Sequence, residues 1–296
     1  MVAATILSVF LASSVPSHQN HPWGFPTASL ARHLRPCFLV ALRDCEAPTL
    51  SPHFSMDNSD PIDIAFDFHL DTPPGKDPDA RSPTLRRYHR LLWSKPLPSG
   101  VVFELVDTAP RGYLHHRSQL GEFWLASDTV IPSFRKQPGL SHVLAQIPDK
   151  LAAFRRIGYT IGGMMVFPGN QVSRKMTINC ARGCHPRIKD RFDHTVECIR
   201  RHYLDVPSPL SDTLARYADY FRLFGDFRGY VEFFLLQDMV TADCSAVKFF
   251  SPFEGFNSSP VPDSMAAYLA YRELAVGFIE ARNQRIRAWW TIHRAG

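Results

Sequence analysis

The densest run of chemically capable side chains is Asn179-Cys180-Ala181-Arg182-Gly183, followed closely by Asp190, Asp193, Glu197 and Arg201. Ile188, Phe192, Val196, Ile199 and Tyr203 recur at spacings of three and four, which predicts an amphipathic helix over 188–203. At about 100° per residue, the four charged positions fall within about 80° of one another, opposite that apolar stripe. Carboxylates gathered in this way could act as a general base or hold a divalent cation. An Arg beside Gly, just ahead of a helix start, is suited to phosphate. The competing reading is a solvated helix face, with Asp193, Glu197 and Arg201 as ordinary i,i+4 support.

A second polar set, Asp226 and Arg228 with Glu232 and Asp238, surrounds Leu223-Phe224-Gly225-Asp226-Phe227-Arg228-Gly229-Tyr230. It reads either as a structural ion pair beside a buried helix or as part of a pocket. The candidate catalytic residues are therefore Asp190, Asp193 and Asp226, and the candidate ligand-binding residues are Asn179, Arg182 and Arg228. Cys180, Cys184, His185, His194, Cys198 and His202 form an inventory that zinc could use, but C-x3-C is looser than the usual finger spacing. No metal is assigned on that ground, and nothing in the sequence names a cofactor. His115-His116, Glu122 and Ser127-Asp128 could supply an acid/base pair, yet no Gly-x-Ser-x-Gly elbow accompanies Ser127. Arg282, Arg285, Arg287, Trp289, Trp290 and Arg294 form a basic, aromatic C-terminus that could contact nucleic acid through Arg and stacking Trp; the favoured reading is a cation-rich helix end with Trp packed back on the core.

The elements that must position these groups divide by period. Ile62–Phe68 alternates apolar and polar residues and predicts a strand. Asp71–Asp79 reads as a loop, and Ser82-Pro83 caps a helix through about Trp93. Strands are expected at 101–106, 112–115 and 122–126. A short helix over 148–156 should then lead into a strand at 159–167, interrupted by Gly162-Gly163. A turn and a strand at 175–178 would complete a hairpin. Helical patterns follow at 210–224, 228–240 and 263–288, with a strand at 246–250. Strands before residue 180 and helices after it predict an α+β fold, an antiparallel sheet packed against the helices of the second half in a single domain.

Composition narrows the class. The chain has 296 residues, 45% apolar, with 22 Phe, 9 Tyr and 5 Trp, too many large apolar side chains for a disordered chain. The net charge of +5 is too mild and too dispersed for a strong nucleic-acid footprint. No uncharged apolar run reaches the ~18 residues of a membrane helix, so no membrane partner is expected. Residues 1–55 differ from the rest: the first charge is Arg32, and neither helical nor strand period is evident. They read as translated sequence upstream of a natural start at Met56, as a signal segment, or as an ordered extension. The first is the expectation, leaving 56–296 as one globular domain and 1–55 as a disordered or mis-assigned extension.

Tyr159-Thr160-Ile161-Gly162-Gly163, Met176-Thr177-Ile178-Asn179 and Ile188-Lys189-Asp190-Arg191-Phe192-Asp193 recur as phrases of a known pattern, as do Tyr88-His89, Leu92-Trp93-Ser94-Lys95, Glu197–Arg201 and Asp226–Val231. With them, the chain resembles, over roughly 60–290, a bacterial family known only as a domain of unknown function. The resemblance implies a cytoplasmic protein of one domain and implies no activity. Cys180 departs from the family pattern, which tends to carry Gln there, and this counts against a role for that thiol. Two functions follow as expectations. One is an enzyme or sensor acting on a phosphate-bearing ligand such as a nucleotide or nucleic acid; the other is a non-catalytic protein-interaction module.

Overall fold

The structure, a computed structural model, describes residues 62–108, 114–132, 134 and 138–294. The segment 1–55 and a start at Met56 lie outside them. Two helices open the described chain, α1 (Pro78–Arg81) and α2 (Pro83–Trp93). Both pair a side-chain cap with a first-turn proline: Asp77 accepts from the Asp79 N–H, and Ser82 from the Leu85 N–H. The Asp71 carboxylate accepts from Ser82 Oγ (2.6 Å) and from the Thr84 N–H (2.9 Å), fixing the junction between the two helices.

Strands β1 (Val106–Asp107), β2 (Leu114–Ser118) and β3 (Gly121–Thr129) run as a meander. After α3 (Pro138–Ala145) and α4 (Pro148–Gly158), β4 (Met164–Pro168) joins the other side of β3. The resulting antiparallel sheet has the order β1-β2-β3-β4, with Thr129 opposite Met164 and Leu125 opposite Pro168. Every residue of β4 is buried, as its unbroken run Met-Met-Val-Phe requires. Six helices follow: α5 (Ile178–Cys184), α6 (Phe192–Tyr203), α7 (Ser211–Ala215), α8 (Ala218–Arg222), α9 (Phe227–Phe233) and α10 (Met265–Arg294). Helix α5 packs on β4 and α8 on β3. An antiparallel sheet in the first half against helices mostly of the second is the expected α+β class.

Three expected strands are absent, and of the strand expected at 101–106 only an isolated bridge at Val102 and the first residue of β1, Val106, form. Over 62–68 the alternating acids make turns: Asp63 accepts from the Ala65 N–H (2.9 Å) and Asp67 from the His69 N–H (3.0 Å). At 175–178 the Thr177 side chain caps α5 instead, and 246–250 contributes only a bridge between Val240 and Val247. Helix α6 begins at Phe192, not Ile188, so Asp190 lies outside it.

Helix α10 ties the sheet to the second half. A Cβ on Gly162 would lie 2.4 Å from the Ile279 carbonyl oxygen, so only glycine admits this approach. Asn283 accepts from the Gly162 N–H (2.7 Å) and donates to Thr160 Oγ1 (2.9 Å). The fully buried Arg282 donates to the carbonyls of Gly162 (3.0 Å), Met164 (2.8 Å) and Phe234 (3.0 Å). These bonds hold β4, and through it β3, whose C-terminal end carries the residues described next. Trp289 and Trp290 lie half-buried against the core, as expected for the C-terminal end of α10. Among the described residues, no helix is long and apolar enough to cross a membrane.

Candidate functional site

Arg182, on α5, is completely buried with every nitrogen engaged. Nη1 donates to Asp128 Oδ2 (2.6 Å), Asp190 Oδ1 (3.0 Å) and the Thr129 carbonyl (3.3 Å). Nη2 donates to the Asp190 carbonyl (2.9 Å), and Nε to Thr195 Oγ1 (3.2 Å). The backbone returns one bond, from the Asp190 N–H to the Arg182 carbonyl (3.0 Å). That clamp holds Lys189 and Asp190 in left-handed backbone, at φ 48° and 66°, a conformation that costs about 1 kcal/mol or more per non-glycine residue. Asn179, one turn earlier on α5, donates to the Ser127 carbonyl (3.2 Å). Asn179 and Arg182 together brace the end of β3 and project Asp128.

Asp128 and Asp190 line a cavity of about 280 Å³. Asp77 and Asp79 enter it from the start of α1, Arg155 and Tyr159 from the end of α4, and Tyr268 from α10. The remaining wall is apolar, with Ile131, Phe134, Leu144, Leu151 and Phe154. The Oδ1 atom of Asp79 is out of contact with solvent and has no hydrogen-bond partner. Burial, then the charges of Asp128 and Asp77, push the Asp79 carboxyl well above the usual carboxylate range. Burial raises Asp128 to about 6, with Asp190 adding to the rise and Arg182 opposing it. Tyr159 is likewise raised, by burial and by the Asp79 and Asp77 charges. Two carboxyls held above their ordinary range thus share one cavity, an arrangement from which proton exchange with a bound molecule can proceed.

The structure thus brings together Asn179, Arg182 and Asp190. It puts the other three candidates elsewhere. Asp193 is buried in a two-bond pair with Arg191 and also accepts from the Phe250 N–H (2.8 Å). That makes the expected solvated face of α6 a buried one, since Glu197 is also buried, bonded to Arg200 and Arg201. Asp226 caps α9 through the Gly229 N–H (2.8 Å), and exposed Arg228 donates to the Asp243 carbonyl (2.8 Å). Neither lines the cavity nor bonds to Arg182. The thiols and imidazoles of the zinc inventory are dispersed: Cys180 and Cys184 are exposed, Cys198 is buried, and His194 packs among Phe249, Phe253 and Phe256. Among the described residues, no three His, Cys, Asp or Glu side chains converge closely enough to hold a metal ion.

Ser127 has a histidine, His89, 3.0 Å away, but the pairing runs the wrong way for a nucleophile. Trp93 Nε1 donates to His89 Nδ1 (3.0 Å), so the ring proton sits on Nε2 and is donated to Ser127. Burial lowers His89 to about 3, keeping it neutral. It can neither take the Ser127 proton nor become an imidazolium.

Asp79 and Asp77 are the residues that sequence reasoning missed. Their signal was present in Asp77-Pro78-Asp79, a cap followed by a first-turn proline, within a stretch read as loop. In the sequence Asp128 stands out only as the neighbour of Ser127.

A model of the family of unknown function DUF6994 matches residues 62–286, and the chain belongs to that family. No curated protein matches it, and no solved structure does.

Proposed function

We propose that, in this DUF6994 member, the cavity between α1, the end of β3 and α4 is a small-molecule site whose carboxyl groups exchange a proton with the bound molecule. The observation that carries this reading is Asp79 Oδ1, buried without a partner at the wall of a cavity that also holds an ionised carboxylate. A buried polar atom left unpaired costs about 1–3 kcal/mol, and a ligand donor would remove that cost. The apolar wall supplies the remaining binding surface, and an adjoining open groove of about 400 Å³ between α3 and α4 shares Leu144, Leu151 and Arg155 with it.

A phosphate-bearing ligand, nucleotide or nucleic acid, fits this site in one orientation only. Arg182 is saturated by protein groups, so the phosphate would lie at the rim against exposed Arg155. The carboxyl groups would then face the donors of a base or sugar. The alternative is an interaction module, for which large exposed apolar side chains, among them Leu70, Met176, Leu204, Leu274 and Ile292, would supply the contact surface.

Screening a fluorinated fragment library by 19F NMR tests the reading. Hits should be lost in Leu151→Trp, which fills both cavity and groove. Hits that bind Leu151→Trp and Asp128→Asn as well as the parent chain would contradict it.

A further inference from the structure

We infer that the molecule this cavity takes is a small organic cation with an apolar body, an amidinium, guanidinium or ammonium compound, whose charged head sits among Asp79, Asp128 and Asp190. The inference rests on the cavity being a ligand site, the reading proposed above, and adds the chemical class of the occupant.

The polar part of the wall accepts more than it donates. Four carboxyl groups reach the cavity, Asp77 and Asp79 from α1, Asp128 from β3 and Asp190 from the turn before α6. Among the described residues, the cations that face them are two. Arg182 stands behind Asp128 and Asp190 with its nitrogens already bonded, and Arg155 is exposed at the rim. The phenols of Tyr159 and Tyr268 complete the titratable groups there among the described residues. An anion seated among these carboxylates would be repelled and, among the described residues, would find no free guanidinium at depth. A group rich in N–H donors meets an acceptor in every direction, including the vacant Asp79 Oδ1.

The acids are spread along the wall instead of converging on a point, and no trio of ligating side chains approaches metal-binding geometry among the described residues. A point charge such as a divalent metal ion is poorly served by that layout. A planar amidinium or guanidinium, with donors fanned over several ångströms, suits it. The remainder of the wall, Ile131, Phe134, Leu151 and Phe154, is apolar and aromatic, so the body behind the head is hydrocarbon or ring. Asp128, raised to about 6, is charged at pH 8.0 and largely protonated at pH 5.5, so affinity for a cation should strengthen as pH rises.

Three compounds of one shape and different charge provide the test: benzamidine, benzamide and benzoate, titrated into the full-length protein by saturation-transfer NMR at pH 5.5 and 8.0. Benzamidine is expected to bind at least tenfold more tightly than either analogue at pH 8.0, and several-fold more weakly at pH 5.5. Asp79→Asn, which breaks no ion pair and leaves the Arg182 cluster intact, should cut the benzamidine preference at least fivefold. Leu151→Trp should abolish binding of all three. Benzoate or benzamide bound as tightly as benzamidine, yet lost in Leu151→Trp, would overturn the cation assignment and keep the site. No binding of any of the three at millimolar concentration would overturn both.

Discussion

Removing the guanidinium of Arg182 is the perturbation whose consequences follow most directly from the geometry. Arg182→Met keeps a long apolar side chain on α5 and takes away the cation that touches both Asp128 and Asp190. Two carboxylates with side chains 16% and 30% exposed are then left facing each other, and the Thr129 and Asp190 carbonyls lose a donor. Breaking a buried ion pair from one side costs about 3–5 kcal/mol. For a protein of this size that corresponds to a fall in Tm of about 6–20 °C. The cost should also depend on pH. Asp128 already titrates at about 6, above its ordinary range, so the folded protein binds more protons there than the unfolded chain. A raised carboxyl contributes stability at low pH that is lost as pH climbs through the folded value. Without Arg182, which opposes the rise, Asp128 moves higher still, and each further unit is worth about 1.4 kcal/mol. The penalty of Arg182→Met measured by urea unfolding should therefore be largest at pH 7.5 and smaller by at least about 1 kcal/mol at pH 5. A loss below about 1 kcal/mol at pH 7.5, or a larger loss at pH 5, would refute the reasoning.

Asp193→Asn should cost about 3–5 kcal/mol by leaving Arg191 buried without a counter-ion, measured by urea unfolding at pH 7. Burial works to raise Asp193, but Arg191 and its hydrogen bonds prevail and hold the carboxyl below its ordinary range. Its contribution is therefore present above that range and lost as pH falls through the folded value, and the variant should lose less stability on acidification than the parent. Gly162→Ala should destabilise by about 3 kcal/mol or more, because the new Cβ meets the Ile279 carbonyl and Asn283 and α10 must shift; thermal unfolding followed by circular dichroism reads this directly. Ser127 should not label with a fluorophosphonate, since His89 donates to it; stoichiometric labelling would show that the tautomer is wrong.

The sequence made the class of fold legible, and it marked half of the site. Ser82-Pro83 and the 3.6-residue period of α6 are local signals that survive into the structure. Ile62–Phe68 misled because acids at alternate positions serve equally as Asx-turn formers, and the choice is made by where the chain must go. Asn179, Arg182 and Asp190 were legible as a group because they lie within twelve residues of one another. Their partner Asp128 lies 54 residues before Arg182 and arrives only through the pairing of β3 with β4. Without it, Arg182 looked like an anion receptor; with it, the same residue is a clamp for two carboxylates. Asp190 was legible by type but not by place, because nothing local says that Lys189 and Asp190 turn left-handed before α6 begins.

The central claim is that Asp79 and Asp128 share one cavity in which burial holds both carboxyls above the ordinary carboxylate range. Titration of the protein with 13C-labelled aspartate carboxyl groups, assigned with Asp79→Asn and Asp128→Asn, measures this directly. The account predicts midpoints for both groups above the ordinary range, with Asp128 near 6. Both groups titrating in the ordinary range close to 4 would contradict it.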